Sequence, residues 1–376
     1  MVQKERLIAE FMELVRIDSV TKYETEISKV LFRKFEDLGL EVTEDDVAEK
    51  IGHGAGNLFA WLAPTAGHEN VPVILFTSHM DTVSPGNGIK PRLDDDGYIR
   101  SDGTTILGAD DKAGLAAIFE SLRVLKEQNL PHGGIQFVIT SGEESGLLGS
   151  RAMDGSRLRA KFGYALDSNG EVGAIAVAAP TNSRQYITIK GKAAHAGVNP
   201  EDGISAIQVA SKAVSRMKLG RIDSETTANI GRFEGGGEVN IVTDTIKIYA
   251  EARSQVQEKM DRQIEAMREA VESAAKEYGA EFDFETATMY PAYSYGDGDE
   301  VVEVAKSAIQ AIGLAPRMFP SGGGSDANVF NGNGVPTVNL AVGYEYIHTT
   351  KEQIKADDIV KVTELVIAIV NETLKK

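Results

Sequence analysis

The chain has 376 residues, no cysteine and a formal net charge of −17 at pH 7. This length allows two domains with packed cores, and the negative charge disfavours nucleic acid and anionic membranes as partners because both would be repelled. The absence of cysteine excludes disulfides and thiolate zinc sites, so any bound metal must have nitrogen and oxygen ligands.

The first predicted element is an amphipathic helix at the start of the chain. Its apolar residues are spaced to form one buried face, namely Leu7, Ile8, Phe11, Leu14 and Val15. This pattern differs from a signal peptide, and no run of about 18 apolar residues occurs anywhere in the chain. We therefore expect a soluble cytoplasmic protein.

The rest of the first half alternates amphipathic helices with continuous apolar strands. Helices are predicted over 24–38 and 112–128, and strands over 73–77, 135–140 and 162–166. Apolar strands separated by amphipathic helices indicate a mainly parallel sheet flanked by helices. We therefore predict an α/β domain.

The middle of the chain has a different order of elements. Strands are predicted over 185–190, 226–233, 245–253 and 281–288. Two helices lie between them, one over 204–217 and one whose buried side is predicted to carry Met260, Ile264, Met267, Val271 and Tyr278. The order βαββαβ predicts a ferredoxin-like α+β domain with an antiparallel sheet.

The end of the chain returns to the α/β pattern. A helix over 300–312 precedes a Gly-rich turn, and a strand over 335–342 precedes a helix over 357–374. We therefore predict a discontinuous α/β domain made of residues 1–181 and 292–376. Residues 182–291 would form an inserted α+β domain.

Polar residues of metal-ligand type stand at the ends of the predicted α/β elements. Ligands of open α/β sheets bind beyond the carboxyl ends of the strands. The residues at these positions are His79, Asp81, Asp110, Asp111, Glu143, Glu144, Asp167 and His348. Their convergence on one edge predicts a binding site there.

Histidine and carboxylate ligands suit Zn²⁺, Mn²⁺ or Co²⁺. The carboxylates exceed what one ion needs, so one of them can be shared between two ions. Two ions about 3.5–4 Å apart activate water and stabilise a tetrahedral intermediate, which is hydrolytic chemistry. In extended backbone His79 and Asp81 point the same way, so Asp81 can contact the second ring nitrogen of His79.

Five motifs, in chain order, resemble those of a known enzyme family: SHMDTV, GADDKAG, GEESG, ALDSNG and HTTKE. They are similar to the motifs of the two-zinc metallopeptidases that include aminoacylase, glutamate carboxypeptidase and peptidase T. The sequences TSHMDTV and LGADDKAG most resemble the peptidase T-like branch of this family. The likeness covers nearly the whole chain, including the inserted domain. It implies that residues 1–181 and 292–376 form a catalytic, zinc-binding domain and that residues 182–291 form a lid or dimerisation domain.

The resemblance implies a role for each residue at the strand ends. One zinc ion would be held by His79, Asp110 and Asp167, and the other by Glu144 and His348, with Asp110 bridging the two. Glu143 would be the general base and Asp81 would orient a ligand. The resemblance also implies a cis peptide bond between Asp110 and Asp111.

The resemblance further assigns three residues of the inserted domain to the substrate. His195 would hold the substrate and the oxyanion, while Asn240 and Arg253 would meet its carboxylate side. Arginine binds a carboxylate through paired hydrogen bonds, although an ion pair with local acids is an equal alternative for Arg253. Three other histidines in Gly- or Pro-rich loops are interpreted as solvated, namely His53, His68 and His132.

The leading hypothesis is a dinuclear zinc aminopeptidase that acts on short peptides, with Co²⁺ or Mn²⁺ as alternative ions. It would be a homodimer that pairs through the inserted domain and binds neither nucleic acid nor membrane. An N-acyl-amino-acid deacylase or a carboxypeptidase would use the same metal site. A non-catalytic metal- or peptide-binding protein is the alternative from another class.

Overall fold

A computed structural model describes the whole chain, Met1–Lys376. The chain divides into two compact units. The first contains Met1–Ala178, Tyr295–Ser321 and Ser325–Lys376, and the second contains Ala179–Ser294 and Gly322–Gly324. The catalytic and lid or dimerisation roles assigned to two such domains stay predictions.

Ten α-helices and 17 strands form the two units. The helices are α1 Lys4–Val15, α2 Thr25–Asp37, α3 Val47–Ile51, α4 Ala109–Glu127, α5 Leu148–Ala152, α6 Ala206–Arg216, α7 Gln257–Tyr278, α8 Glu300–Ala311, α9 Asp326–Gly332 and α10 Ala356–Thr373. The strands are β1 Glu41–Glu44, β2 Leu58–Leu62, β3 Ile74–His79, β4 Arg92–Leu93, β5 Tyr98–Arg100, β6 Ile135–Thr140, β7 Phe162–Ser168, β8 Ala174–Ala179, β9 Thr181–Lys190, β10 Gly220–Arg221, β11 Thr226–Gly235, β12 Thr245–Ser254, β13 Glu281–Tyr290, β14 Tyr293–Ser294, β15 Arg317–Pro320, β16 Thr337–Ala341 and β17 Gln353–Lys355. None of the helices is long and apolar enough to span a bilayer.

The first unit is built on a nine-stranded sheet in the order β1-β2-β6-β3-β7-β16-β8-β14, with β15 beside β8. Its centre is parallel, because β6, β3, β7 and β16 pair in the same direction, and antiparallel pairs lie toward the edges. All residues of β3 and β6 are buried, as expected for strands covered on both faces. The predicted fold class, a mainly parallel sheet flanked by helices, is confirmed.

A chain of aromatic rings supports this parallel centre. Phe35 on α2 and Phe119 on α4 lie 4.7 Å apart between ring centroids, and Phe35 lies 5.8 Å from Phe137 on β6. The contacts continue through Phe76 on β3 to Tyr164 on β7, at 6.0 and 5.8 Å. Each such pair contributes about 0.5–1.5 kcal/mol beyond the area it buries. The strands whose carboxyl ends carry the site residues are therefore firmly packed.

The second unit contains a five-stranded sheet in the order β10-β11-β12-β9-β13, in which every neighbouring pair is antiparallel. Apart from the two-residue β10, the spatial order is that of a ferredoxin-like βαββαβ fold. Helices α6 and α7 pack against each other and on this sheet. The expectation for Tyr278 is wrong, because this last residue of α7 is exposed and the buried part of the helix ends at Ala275.

Candidate metal centre

The parallel centre of the first sheet brings the predicted ligands to one edge. His79 is the last residue of β3, and Glu143 and Glu144 follow β6, which lies directly beside β3. Asp167 lies near the end of β7 on the other side of β3. Because parallel strands end at the same edge, residues far apart in the chain become neighbours there.

Asp110 lies between two histidine rings. Its Oδ1 is 2.9 Å from Nε2 of His79, and its Oδ2 is 3.4 Å from Nε2 of His348. Nε2 of His79 also lies 3.8 Å from Asp167, and Nε2 of His348 lies 2.9 Å from Glu144. All five predicted ligands therefore form one connected cluster, with a carboxylate at its centre.

Two groups of three residues could each hold a metal ion, because the ligand atoms within each group lie within 4.8 Å of one another. One consists of His79, Asp110 and Glu144, and the other of His79, Asp111 and Asp167. Asp111 is one of the residues of metal-ligand type found in the sequence, but the resemblance assigned it no ligand role. It is fully buried, and its Oδ2 has no hydrogen-bond partner.

The hydrogen bonds of His79 test whether the cluster suits a cation. Nδ1 of His79 lies 2.9 Å from the carbonyl oxygen of Asp81, so Nδ1 carries the hydrogen and Nε2 faces Asp110 and Asp167. Burial alone would lower the pKa of His79, but hydrogen bonds with Asp110 and Asp81 raise it well above its usual value. The Nε2 atom of His79 therefore holds a proton that faces the carboxylates of Asp110 and Asp167. A divalent ion can replace such a proton, so these residues fit Zn²⁺, Mn²⁺ or Co²⁺.

His348 gives the cluster an open side. It is half-exposed, and its backbone is left-handed with φ of 62°. Hydrogen bonds with Asp110 and Glu144 raise the pKa of His348 to about 10. Catalytic metal sites keep one position open for water or substrate, and the exposure of His348 leaves this side of the cluster accessible to both.

We expect divalent ions to stabilise the folded protein. At a free ion concentration 100 times Kd, stabilisation is about 2.7 kcal/mol per site, measurable by thermal unfolding with and without Zn²⁺ or Co²⁺. Because an ion must displace the proton of His348, ion affinity should increase between about pH 6 and 8. Equal melting temperatures in metal and in chelator would contradict this expectation.

Asp81 ties the end of β3 to the turn that carries the two glutamates. Its carboxylate accepts the backbone N–H of Glu143 at 3.0 Å and of Glu144 at 3.2 Å, and the hydroxyl of Thr21 at 2.7 Å. The same carboxylate is 3.5 Å from the ring nitrogen of His79, farther than the Asp81 carbonyl oxygen. Asp81 thus contacts His79 mainly through its backbone and holds the glutamates through its side chain.

Glu143 has the environment of a general base. Its carboxylate accepts no hydrogen bond from the protein. Burial holds the pKa of Glu143 well above its usual value; the charge of His79 opposes this shift, and the charges of Asp326 and Glu144 add to it. A carboxylate with a raised pKa is a better proton acceptor near neutral pH.

Several residues that support the cluster were not predicted from the sequence. The Glu352 carboxylate accepts the backbone N–H groups of Leu107, Gly108 and Asp110 at 2.8–3.1 Å. Buried Lys112 donates to the carbonyl of Met80 at 2.9 Å. The only signal in the sequence was their presence in the motifs HTTKE and GADDKAG, which does not specify these contacts.

The peptide bond between Asp110 and Asp111 is cis, as the resemblance implied. These two residues have non-helical backbone angles although they lie in the first turn of α4. The regular helix therefore begins at Lys112, the residue at which the helix was predicted to start.

The three predicted substrate residues lie in the second unit. His195 and Asn240 are exposed, and their loops pair through the hydrogen bond from the Ala196 N–H to the Asn240 carbonyl at 2.9 Å. Arg253 lies near the opposite end of β12, which spans roughly 30 Å, and its guanidinium binds Glu251 through two hydrogen bonds of 3.0 and 3.2 Å. The structure thus places His195 near Asn240, while Arg253 lies away from both. Arg253 forms the local ion pair that was the alternative to a substrate contact.

The interpretation of His53 and His132 as solvated is wrong. Both side chains are buried in the first unit. Nδ1 of His53 lies 3.1 Å from Glu24, and Nδ1 of His132 lies 2.8 Å from the carbonyl of Gly133. His68 is partly buried and contacts Thr65.

A family model described as peptidase family M20/M25/M40 matches residues 75–372. The chain belongs to this family. The match includes all the residues of the cluster, from His79 to His348, so the metal cluster described above lies inside the family domain. The predicted peptide hydrolase is thereby confirmed.

Relatives similar to this chain over its whole length agree with this assignment. The structure of aminopeptidase PepT from Bacillus cereus has 61% sequence identity and a TM-score of 0.92, with 100% of each chain covered. A tripeptidase structure from Staphylococcus aureus has 46% identity and a TM-score of 0.95, also with 100% of each chain covered. The uncharacterized Bacillus subtilis protein YqjE is 58% identical over 100% of both chains. The predicted resemblance to a peptidase T-like branch of the family is confirmed.

Proposed function

We propose that this protein is a peptidase T-like aminopeptidase that removes the N-terminal residue from short peptides and uses two zinc ions. The position of the Asp110 carboxylate between the rings of His79 and His348 carries this proposal, because one carboxylate shared by two histidines suits a pair of ions. The similar structures, which are those of an aminopeptidase and a tripeptidase, support the substrate class. We further propose a cytoplasmic homodimer that pairs through the second unit.

In this proposal His79, Asp110 and Asp167 would hold one ion, and Glu144, His348 and Asp110 would hold the other. When bound, two such ions supply a nucleophilic water at neutral pH and polarise the carbonyl of the scissile bond. Asp81 fixes the orientation of the glutamate turn by accepting its two backbone N–H groups.

Glu143 moves the proton in the proposed reaction. Its carboxylate is free of hydrogen bonds from the protein, so it is available to take a proton from the attacking water. The same carboxyl group then gives the proton to the departing amine. This division leaves Glu144 on the metal and Glu143 free to move a proton.

A panel of substrates tests the proposal directly. The protein, loaded in turn with Zn²⁺, Co²⁺ and Mn²⁺, is incubated with dipeptides, tripeptides and N-acyl-amino acids, and the products are identified by mass. Release of the N-terminal residue from tripeptides supports the proposal. Release of the C-terminal residue would indicate a carboxypeptidase, cleavage of N-acyl-amino acids alone a deacylase, and no cleavage a binding protein.

Arg253→Ala is expected to raise KM with a smaller effect on kcat. We propose that Arg253 binds the carboxylate side of the substrate, and a lost charge-assisted hydrogen bond costs about 1.5–3 kcal/mol, or about 10- to 150-fold in kcat/KM. Initial rates over a range of tripeptide concentrations separate KM from kcat.

Glu251→Gln is the matched control for this variant. It weakens the ion pair of Arg253 while the guanidinium remains, so we expect kcat/KM within a few-fold of the wild-type value. If Glu251→Gln and Arg253→Ala lower kcat/KM equally, Arg253 acts only through its ion pair with Glu251, and the proposed contact with the substrate is wrong.

A further inference from the structure

The two glutamates of the proposed site stand on a turn, residues 141–149, which follows β6 and includes the start of α5. The base of this turn is closed by the hydrogen bond from the Gly149 N–H to the Ser141 carbonyl at 3.1 Å. Asn57 bonds both of these residues, because its Oδ1 accepts the Ser141 N–H at 3.2 Å and its Nδ2 donates to the Gly149 carbonyl at 2.9 Å. The tip of the turn is held separately by Asp81. The turn is therefore fixed from two sides.

Asp326 supplies a third contact, which spans the turn. It is the first residue of α9 and is only 4% exposed. One carboxylate oxygen accepts the hydroxyl of Thr140, the residue directly before the turn, and the other accepts the hydroxyl of Ser150, the residue directly after it. One rigid carboxylate thus links both ends of the segment that carries Glu143 and Glu144.

A carboxylate is an uncommon choice for this buried position. Neither Lys nor Arg pairs with Asp326, and a buried charge without a cationic partner is costly. A carboxylate offers acceptors on both oxygens, whereas asparagine offers one acceptor and one donor. Asp326 is therefore suited to receive two hydroxyl groups at a fixed spacing.

We propose that Asp326 is a positioning residue for the peptidase reaction, acting by fixing the separation of Thr140 and Ser150 and thereby the placement of Glu143. This inference rests on the proposed function. A displacement of about 1 Å at a reacting group lowers the rate about 100-fold. Loosening the base of the turn should thus change kcat more than it changes substrate binding.

Asp326→Ala in the zinc-loaded full-length protein tests the inference by two measurements. We expect the backbone amides of residues 141–149 to exchange hydrogen at least tenfold faster than in the wild type, while those of α10 keep their rates. We also expect kcat for a tripeptide to fall about 10- to 100-fold with KM within threefold. Asp326→Asn, which retains one acceptor, should show slower hydrogen exchange and a higher kcat than Asp326→Ala.

A double-mutant cycle with Glu143→Gln separates positioning from general destabilisation. If Asp326 acts through Glu143, adding Asp326→Ala to Glu143→Gln lowers kcat little further. An equal loss of kcat in both backgrounds would overturn the inference.

A second variant serves if Asp326→Ala fails to fold. Thr140→Val combined with Ser150→Ala removes the same two contacts. Its control is Thr363→Val, which removes a buried hydroxyl that bonds only within α10.

The hydrogen-exchange measurement does not require a known substrate. Faster exchange in Asp326→Ala together with no cleavage by the wild type would reject the proposed function and retain the positioning of the turn. Unchanged exchange and unchanged kcat in a variant of an active enzyme would reject the inference alone.

Discussion

Glu143→Ala should lower kcat by about 10²- to 10⁴-fold, the usual contribution of a general acid–base group, while both metal ions stay bound. The carboxylate has no structural hydrogen bond to lose, and the adjacent Glu144 contacts His348 independently at 2.9 Å. Steady-state kinetics on a tripeptide, with metal analysis of the same preparation, measures both quantities.

Two further variants make the Glu143→Ala result specific. Glu143→Gln keeps the size of the side chain but accepts no proton, so its kcat should be as low as that of the alanine variant. Glu36→Gln, on an exposed face of α2, should retain full activity. Undiminished turnover in Glu143→Ala would refute the assignment of the base.

Asp110→Ala should have an even broader effect, because Asp110 contacts both histidines of the cluster. Loss of a residue that only supports a metal ligand typically costs 10- to 100-fold in metal affinity, and loss of a shared ligand should exceed this at both positions. We expect metal content to fall from two ions per chain and peptide cleavage to fall with it. Calorimetric titration with Zn²⁺ measures the affinity.

Asp95→Ala provides the matched control, because Asp95 is an exposed aspartate outside the cluster. It should bind two ions with wild-type affinity. Asp111→Asn tests whether Asp111 is itself a metal ligand, since Asp111 belongs to one of the two groups of ligand atoms. A wild-type metal content in Asp110→Ala would contradict the shared-ligand assignment.

The long elements were predictable because hydrophobic periodicity reports burial directly. Strand β6 was predicted at its observed bounds, and the other predicted elements lie within four residues of theirs. Short edge elements such as β1 and β14 were missed, since strands of two to four residues show too little periodicity to detect. The wrong expectation for Tyr278 has a related cause, because spacing predicts a face but not where the core ends.

The sequence by itself determined the fold class, the order of the two units and the residue types that converge at the strand ends. Those features depend on local pattern and on motifs whose spacing is visible in the chain. Only the tertiary structure decided the contacts, because they join residues distant in sequence. The Asp81 carboxylate holds the glutamate turn rather than chiefly the His79 ring, Asp326 reaches Thr140 across 186 positions, and His53 is buried against Glu24. A hydrogen bond of this kind depends on where the packed core places two side chains, and no pattern within either segment specifies it.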